Sequence, residues 1–363
     1  MYIFCGPGWL GAPPILSWLV ALDKCPGVRP IRVAEIARRI IGKAIMAVIG
    51  PAVQDAAGTV QLCAGQEAGC EAPVHAMREI FSCDDTEAVF LVDARNAFNS
   101  LNREVALRNI QVVCPALSTV AIITYRAAAD LLIGGEFLKS MEGTIQGDPL
   151  AMAIYAIAIL PLIALLPDLV SQIWFADDAT ASGRLIGIRQ WWDGLVISGP
   201  RYGYFPNAVK TWLVVKPHLE TEASTIFADT GISITTSGHR HLGAALGSRT
   251  FTEEFVSAKV QDWVVAIERL SVIAGTQPHA AYAAFTHGLQ SRWVYLSRVA
   301  PEIADLLQPV ENVLRQFIPA LTGHTQPGDV KRKLFFLACS PRRPGDKQPC
   351  VGSLGKLRCF CNV

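Results

Sequence analysis

Two adjacent carboxylates, Asp177 and Asp178, close the apolar run Ile173-Trp174-Phe175-Ala176 and are followed by Ala179-Thr180-Ala181. This pattern predicts a β-hairpin carrying its acids at the tip. Charges at the end of a buried hairpin are costly unless a cation meets them. Mg²⁺ suits the position, because it takes hard oxygen ligands and keeps sites open for substrate phosphates. An Asp-Asp pair alone says little. Cys83-Asp84-Asp85-Thr86 holds the same pair and reads as a surface turn.

The companion acid is Asp93. Ala88-Val89-Phe90-Leu91-Val92 is an unbroken apolar run, predicted as a strand buried on both faces, and it ends in Asp93. After the break Ala94-Arg95-Asn96-Ala97-Phe98-Asn99-Ser100, an amphipathic stretch with Leu101, Val105, Leu107 and Ile110 reads as a helix. A carboxylate at the end of a buried strand can lie beside a hairpin tip of the same sheet. Asp93, Asp177 and Asp178 would then hold two divalent ions, Mg²⁺ or Mn²⁺, about 3.5–4 Å apart, the spacing for in-line phosphoryl displacement.

Several blocks occur in one order along the chain. Asp93-x-x-x-x-Phe98 is followed by Glu142-Gly143-Thr144-Ile145-Gln146-Gly147-Asp148-Pro149-Leu150, and then by Phe175-Ala176-Asp177-Asp178. Upstream lie Val28-Arg29-Pro30-Ile31, Arg38-Arg39-Ile40-Ile41-Gly42-Lys43 and Gly65-Gln66-Glu67-Ala68-Gly69-Cys70-Glu71. Downstream lie Gly203-Tyr204-Phe205-Pro206-Asn207-Ala208-Val209-Lys210-Thr211 and His241-Leu242-Gly243-Ala244-Ala245-Leu246-Gly247. In this order the blocks resemble a reverse transcriptase, nearest the retrotransposon type without long terminal repeats, over roughly residues 15 to 325.

The resemblance implies an RNA-directed DNA polymerase, a nucleotidyltransferase that extends a DNA primer with dNTPs on an RNA template. Asp93 and Asp177 would bind both metal ions, with Ala94 lending its backbone carbonyl and Asp178 as a third, less critical acid. One ion would activate the attacking 3′-hydroxyl and the other would neutralise the leaving pyrophosphate. Phe98 would be a steric gate beneath the incoming sugar, selecting deoxynucleotides. Gln146 and Gly147 would position the nascent base pair. Lys210 would protonate or neutralise the pyrophosphate, and Arg29 would meet the γ-phosphate. Asp148-Pro149 also reads as a helix start, with Asp at the N-cap and Pro in the first turn. Departures from the family pattern are Ile145, Asn99 and Arg32, none of which removes a metal ligand.

Composition agrees with a folded enzyme. The chain has 363 residues, long enough for more than one domain, and 51% hydrophobic residues exclude a disordered chain. Ten scattered cysteines without Cys-x-x-Cys spacing suggest reduced thiols, and so an intracellular protein of nucleus or cytoplasm. Leu150 to Leu166 carries no charge, and hydropathy alone would make it a membrane span. Pro161 interrupts it, Asp148 and Asp168 bracket it, and it follows the Gln-Gly-Asp-Pro block. It is therefore expected to be the buried helix behind the catalytic sheet, with no membrane involved. No basic residue precedes the apolar stretch Trp9 to Leu22, so a secretory signal is not expected. His239 and His241 read as structural, and Phe227-Ala228-Asp229 as a chance echo of the hairpin.

The expected fold is α+β, a right-hand polymerase with fingers, a palm built on an antiparallel sheet, and a helical thumb. Residues 1–87 would be fingers, and 88–248 palm, with part of the fingers inserted between Leu101 and Ser140. Residues 249–326 would be the thumb, patterned by Phe255, Val260, Trp263, Val264, Ile267 and Leu270. The segment 327–363 reads as a disordered or aberrant tail.

Charge argues the other way. The chain is only +1 overall. The first 50 residues have six basic and two acidic groups, which suits phosphates, and the tail carries +6, so everything before the tail sums to −5. With no recognisable endonuclease, RNase H or zinc knuckle, the alternative is a catalytically dead, truncated retroelement remnant that at most binds nucleic acid. The oligomeric state is left open.

Overall fold

The computed structural model describes residues 17–23, 28–33, 36–133, 136–145 and 147–323. Clustering of contacts divides the chain into two units, Met1–Thr236 and Ser237–Val363. In the first, β1 (Ser17–Asp23) and β2 (Val28–Val33) precede the helices α1 (Ile36–Ala57) and α2 (Ala72–Ser82). Then come β3 (Ala88–Val92), α3 (Ala97–Ser100), α4 (Arg103–Val113), α5 (Pro115–Tyr125), β4 (Ala129–Ile133) and β5 (Glu136–Ser140). The unit is completed by α6 (Ala151–Leu165), β6 (Ser171–Phe175), β7 (Asp178–Gly183), α7 (Leu185–Tyr202), β8 (Trp212–Val215), α8 (Glu220–Ile226) and β9 (Ser233–Thr235).

The apolar run at residues 88–92 forms a strand because it joins β-branched and aromatic side chains, and all five of its residues are buried. It is the middle strand of a five-stranded sheet in the order β6-β7-β3-β8-β9. Its neighbours β7 and β8 are antiparallel to it, and β9 is parallel to β8. Side chains alternate across the sheet. Phe90 enters the main core, edge-on to Trp191 and Trp192 of α7. In the same core α6, packed against α1, α4 and α7, buries ten of its residues, which explains a helix that is apolar on every side. No helix among the described residues is long and apolar enough to cross a membrane. Val89 and Leu91 face the other way. Helix α2 packs against β3 and β7 and buries Val74 and Met77, so the sheet has helices on both faces.

The segment between β3 and the hairpin does not simply return to this sheet. Its strands β4 and β5 join β1 and β2 in a second, four-stranded sheet ordered β2-β1-β4-β5, with β1 and β4 parallel. The N-terminal strands and the chain after β3 thus share one ladder.

In the second unit, β10 (Gly238–His241) and β11 (Ala244–Gly247) form a hairpin. Its loop, Leu242-Gly243, has positive φ at both positions, as a type I′ turn requires. The hairpin groups with the helices that follow. Helix α9 (Arg249–Ala274) starts at Ser248, whose hydroxyl accepts from Phe251 N at 3.2 Å. It buries Val256, Val260, Trp263, Ile267 and Ala274. Helices α10 (Pro278–Ala284), α11 (Gln290–Val299) and α12 (Gln308–Thr322) complete an aromatic core in which Phe285 meets Trp293 and Phe317.

His241 is buried in this unit, and burial lowers its imidazole from 6.5 to about 4. Between those values the unfolded chain binds more protons than the fold. The histidine's contribution to stability is therefore intact above pH 6.5 and is lost as pH falls toward 4, with a limiting slope of about 1.4 kcal/mol per pH unit. Urea denaturation of His241→Leu across this window is expected to give a flatter pH dependence than the parent. Parallel curves would contradict the assignment.

Candidate active site

Asp93 stands one residue past the end of β3, half-buried. Its backbone is held by the loop that follows α7: Asn207 N donates to Asp93 O at 2.8 Å, and Arg95 N donates to Phe205 O at 2.8 Å. These bonds flank an antiparallel bridge between Ala94 and Pro206. In such a pair the flanked residue turns its own carbonyl away from the partner strand. Ala94 O therefore faces the β7 side. The last β3–β7 pair is Val92 with Ala179. That pair brings the end of β3, just before Asp93, beside the hairpin strand just after Asp178.

The tip itself is a two-residue turn. Phe175 pairs with Asp178, leaving Ala176 and Asp177 as the loop, and Ala176 has φ of 55°. Gln61, fully buried, grips this turn: its Oε1 accepts from Ala176 N at 2.8 Å and its Nε2 donates to Ala176 O at 3.1 Å. From another side, the Tyr204 hydroxyl donates to Asp177 O at 2.9 Å. Beneath the tip, the indole N–H groups of Trp174 and Trp191 both donate to Gln172 Oε1 at 3.1 Å.

A third segment, residues 142–150, is built around Arg103. The buried guanidinium donates to the carbonyls of Ser140, Glu142 and Gly143, and the Arg103 amide donates to Glu142 Oε2. Gly143 has φ of 74°, and a Cβ there would collide with the carbonyl oxygens of Phe98 and Asn99. Thr144 N donates to Phe98 O at 2.6 Å. The Gly-rich block is thereby tied to α3, which carries Phe98. The Phe98 ring stacks on Tyr155 of α6, with centroids 4.5 Å apart.

Gly203 closes the same region, with φ of 76° and no room for a Cβ against Ser100 O, while Ser100 Oγ donates to Gly203 O at 2.8 Å. Gly203→Ala is expected to cost about 2–4 kcal/mol through strain and overpacking. Chemical denaturation measures it, and a loss below about 1 kcal/mol would contradict this packing.

Asp148 departs from its expected role. Helix α6 starts two residues later than a cap at Asp148 requires, and Asp148 Oδ1 accepts from Leu150 N at 2.9 Å, an Asx-turn. Its other oxygen receives Arg38 of α1 at 2.5 Å, and the Asp148 side chain is only 1% exposed. Arg38, grouped with the phosphate-facing basic residues in the sequence, is committed to this buried pair. Asp84 and Asp85 lie in an exposed turn, as expected. Asp229 forms a bidentate ion pair with Arg189 of α7, a structural contact.

The acids converge on one phenol. Burial holds Tyr204 well above the usual tyrosine range, and Asp177, Asp178 and Asp93 push it further, in that order. Burial likewise raises the Cys63 thiol to about 12. Tyr155 is raised mainly by burial, and its hydroxyl has no hydrogen-bond partner among the described residues. Lys210 Nζ lies 3.7 Å from Asp93 Oδ2, with both side chains partly exposed. Among the described residues, no three His, Cys, Asp or Glu side chains stand close enough to hold one ion as placed. The donors at this edge are nevertheless all hard oxygens, three carboxylates and the Ala94 carbonyl, which suit Mg²⁺ or Mn²⁺ in kind.

Asp93, Ala94, Asp177, Asp178, Lys210 and Phe98 therefore belong to one region. Gly147, exposed with φ of 96°, follows in the loop before α6. Gln146 and the tail 327–363 lie outside the described residues. Arg29 lies on β2, opposite Leu22. Sequence reasoning missed Gln61, Arg103 and Tyr155. For Gln61 the available signal was one polar residue between Val60 and Leu62.

No protein-family model matches this sequence, and no curated protein does. Solved structures are similar in fold. Telomerase from Candida albicans, in complex with a TWJ fragment of telomeric RNA, aligns with a TM-score of 0.54 at 9% identity, covering 92% of this chain and 59% of that one. Apo telomerase from Candida tropicalis aligns with a TM-score of 0.50 at 9% identity, covering 93% and 63%. The chain thus spans about three fifths of the telomerases it matches. At this identity the likeness is one of fold alone, the mixed helix-and-sheet fold of those telomerase structures.

Proposed function

We propose that this chain is the core of an RNA-directed DNA polymerase from a retroelement without long terminal repeats. The observation that carries the reading is the meeting of Asp93, at the end of a central strand, with the Asp177–Asp178 hairpin tip, in a reverse-transcriptase-like fold. Residues 1–87 would serve as fingers, 88–248 as palm with part of the fingers inserted, and 249–326 as thumb.

Asp93, Asp177 and the Ala94 carbonyl would hold two Mg²⁺ ions, with Asp178 as the lesser acid and Mn²⁺ as a substitute. When bound, the ions supply charge neutralisation at the attacking and leaving oxygens of an in-line displacement. The protein's own work is positioning. Phe98, backed by Tyr155, lies under the sugar and excludes a 2′-hydroxyl. Gly147, with Gln146, leaves room for the nascent base pair. Lys210 neutralises the pyrophosphate from beside Asp93, and Arg29 meets the γ-phosphate. RNA template, DNA primer and dNTPs are the partners.

Incorporation of one chain-terminating deoxynucleotide opposite an RNA template, dependent on Mg²⁺, tests the reading. Two observations favour a second reading, a non-catalytic remnant that at most binds nucleic acid: Asp93 is paired with Lys210, and among the described residues no three acids share an ion's reach. That reading expects template binding without incorporation.

A further inference from the structure

The turn that carries Asp177 does not hold itself. Its first residue, Ala176, has φ of 55°, a conformation that is uncommon outside glycine and persists only where surroundings enforce it. The enforcement comes from a residue 115 positions away. Gln61 presents a carboxamide that takes both backbone groups of Ala176, one as acceptor and one as donor. That pairing leaves a single orientation for the amide, since the N–H of Ala176 needs an oxygen and its carbonyl needs an N–H. The segment around Gln61 is anchored to the hairpin as well: Trp174 N donates to Val60 O at 2.7 Å, and Leu62 N donates to Trp174 O at 2.9 Å. Gln61 is wholly buried, so no water stands in for a lost bond. With Tyr204 on the next carbonyl, both loop residues are fixed through their backbones.

We propose that Gln61 is a positioning residue, a buried amide clamp that sets the turn so that the Asp177 carboxylate is aimed at the end of β3. The inference rests on the polymerase reading. Gln61 touches neither substrate nor the reacting atoms; it acts through the backbone of Ala176.

Two substitutions separate this role from a structural one. Gln61→Met keeps the length and removes both bonds. Gln61→Glu keeps both when its carboxyl is protonated and loses the donor when it ionises. The full-length chain is assayed by calorimetric titration with Mn²⁺ and by primer extension from about pH 6 to 8, a range into which burial can raise a glutamate.

With Gln61→Met, kcat is expected to fall roughly 100-fold with KM for dNTP nearly unchanged, the size of effect produced by a displaced catalytic group. Mn²⁺ affinity is expected to weaken about tenfold, as for other outer-shell partners of metal ligands. Gln61→Glu is expected to recover toward the parent as pH falls, whereas the Met variant's deficit stays constant. Should Gln61→Met fail to fold, the pH-dependent recovery of Gln61→Glu still decides. Folded variants that match the parent in Mn²⁺ affinity and kcat at every pH would overturn the clamp alone. A parent chain that neither binds Mn²⁺ nor extends a primer would overturn the polymerase reading and the clamp's purpose with it.

Discussion

Asp177→Asn is expected to reduce primer extension by at least about 10³-fold, and Asp93→Asn by a similar factor, because on the polymerase reading each would remove a charged ligand from the site where transition-state charge is neutralised. Asparagine keeps the shape of the side chain and discards its charge. The fold should survive both changes. Asp177 is held by its backbone carbonyl through Tyr204, and Asp93 by backbone bonds to the 205–207 loop. Asp178→Asn should cost less, since Asp178 is the more exposed acid and the first residue of β7. Steady-state extension rates with matched thermal unfolding curves check this. Near-parent rates in Asp177→Asn would remove the hairpin from the chemistry.

Phe98→Val is expected to raise ribonucleotide use relative to deoxynucleotide use by roughly 100-fold, the scale on which a pocket discriminates a single hydroxyl. The structural ground is the support beneath the ring. Phe98 stacks on Tyr155, which is fully buried on α6, so the ring cannot retreat from a 2′-hydroxyl. A valine opens that space. Tyr155→Phe serves as the control: it keeps the stack, removes a buried hydroxyl that has no hydrogen-bond partner among the described residues, and leaves sugar choice unchanged. Comparing kcat/KM for dNTP and rNTP on one template measures the effect. An unchanged ratio in Phe98→Val would assign the ring to the core alone.

What the sequence made legible was local. The strand at 88–92 announced itself by an unbroken apolar run that ended at an acid. The hairpin announced itself by apolar residues on both sides of two aspartates. Helix α6 was readable because Pro161 and the bracketing acids argued against a membrane span. The illegible features are pairings across long separations. Gln61 meets Ala176, and Arg38 meets Asp148 110 residues on, and neither partner carries a mark of the other. Asp148 shows the same limit at short range. Asp-Pro is compatible with an N-cap and with an Asx-turn, and only the fold, with Leu150 N on Oδ1 and Arg38 on the other oxygen, decides between them. The all-apolar strand announced burial on both faces, but that α2 supplies the second cover was hidden, because such a run does not say which element lies on each face. The shared ladder of β1 and β4 depends on a pairing of strands over 100 residues apart.

The central claim is that the edge formed by Asp93 and the Asp177–Asp178 turn makes DNA on an RNA template. Its most direct test is extension of a labelled DNA primer on RNA by the purified chain, with Mg²⁺ and either dNTPs or rNTPs. The account predicts extension with dNTPs, little with rNTPs, and none without divalent metal. A folded chain that binds the primer–template but adds no nucleotide would contradict it, and would leave the acids as inherited structure on a nucleic-acid-binding remnant.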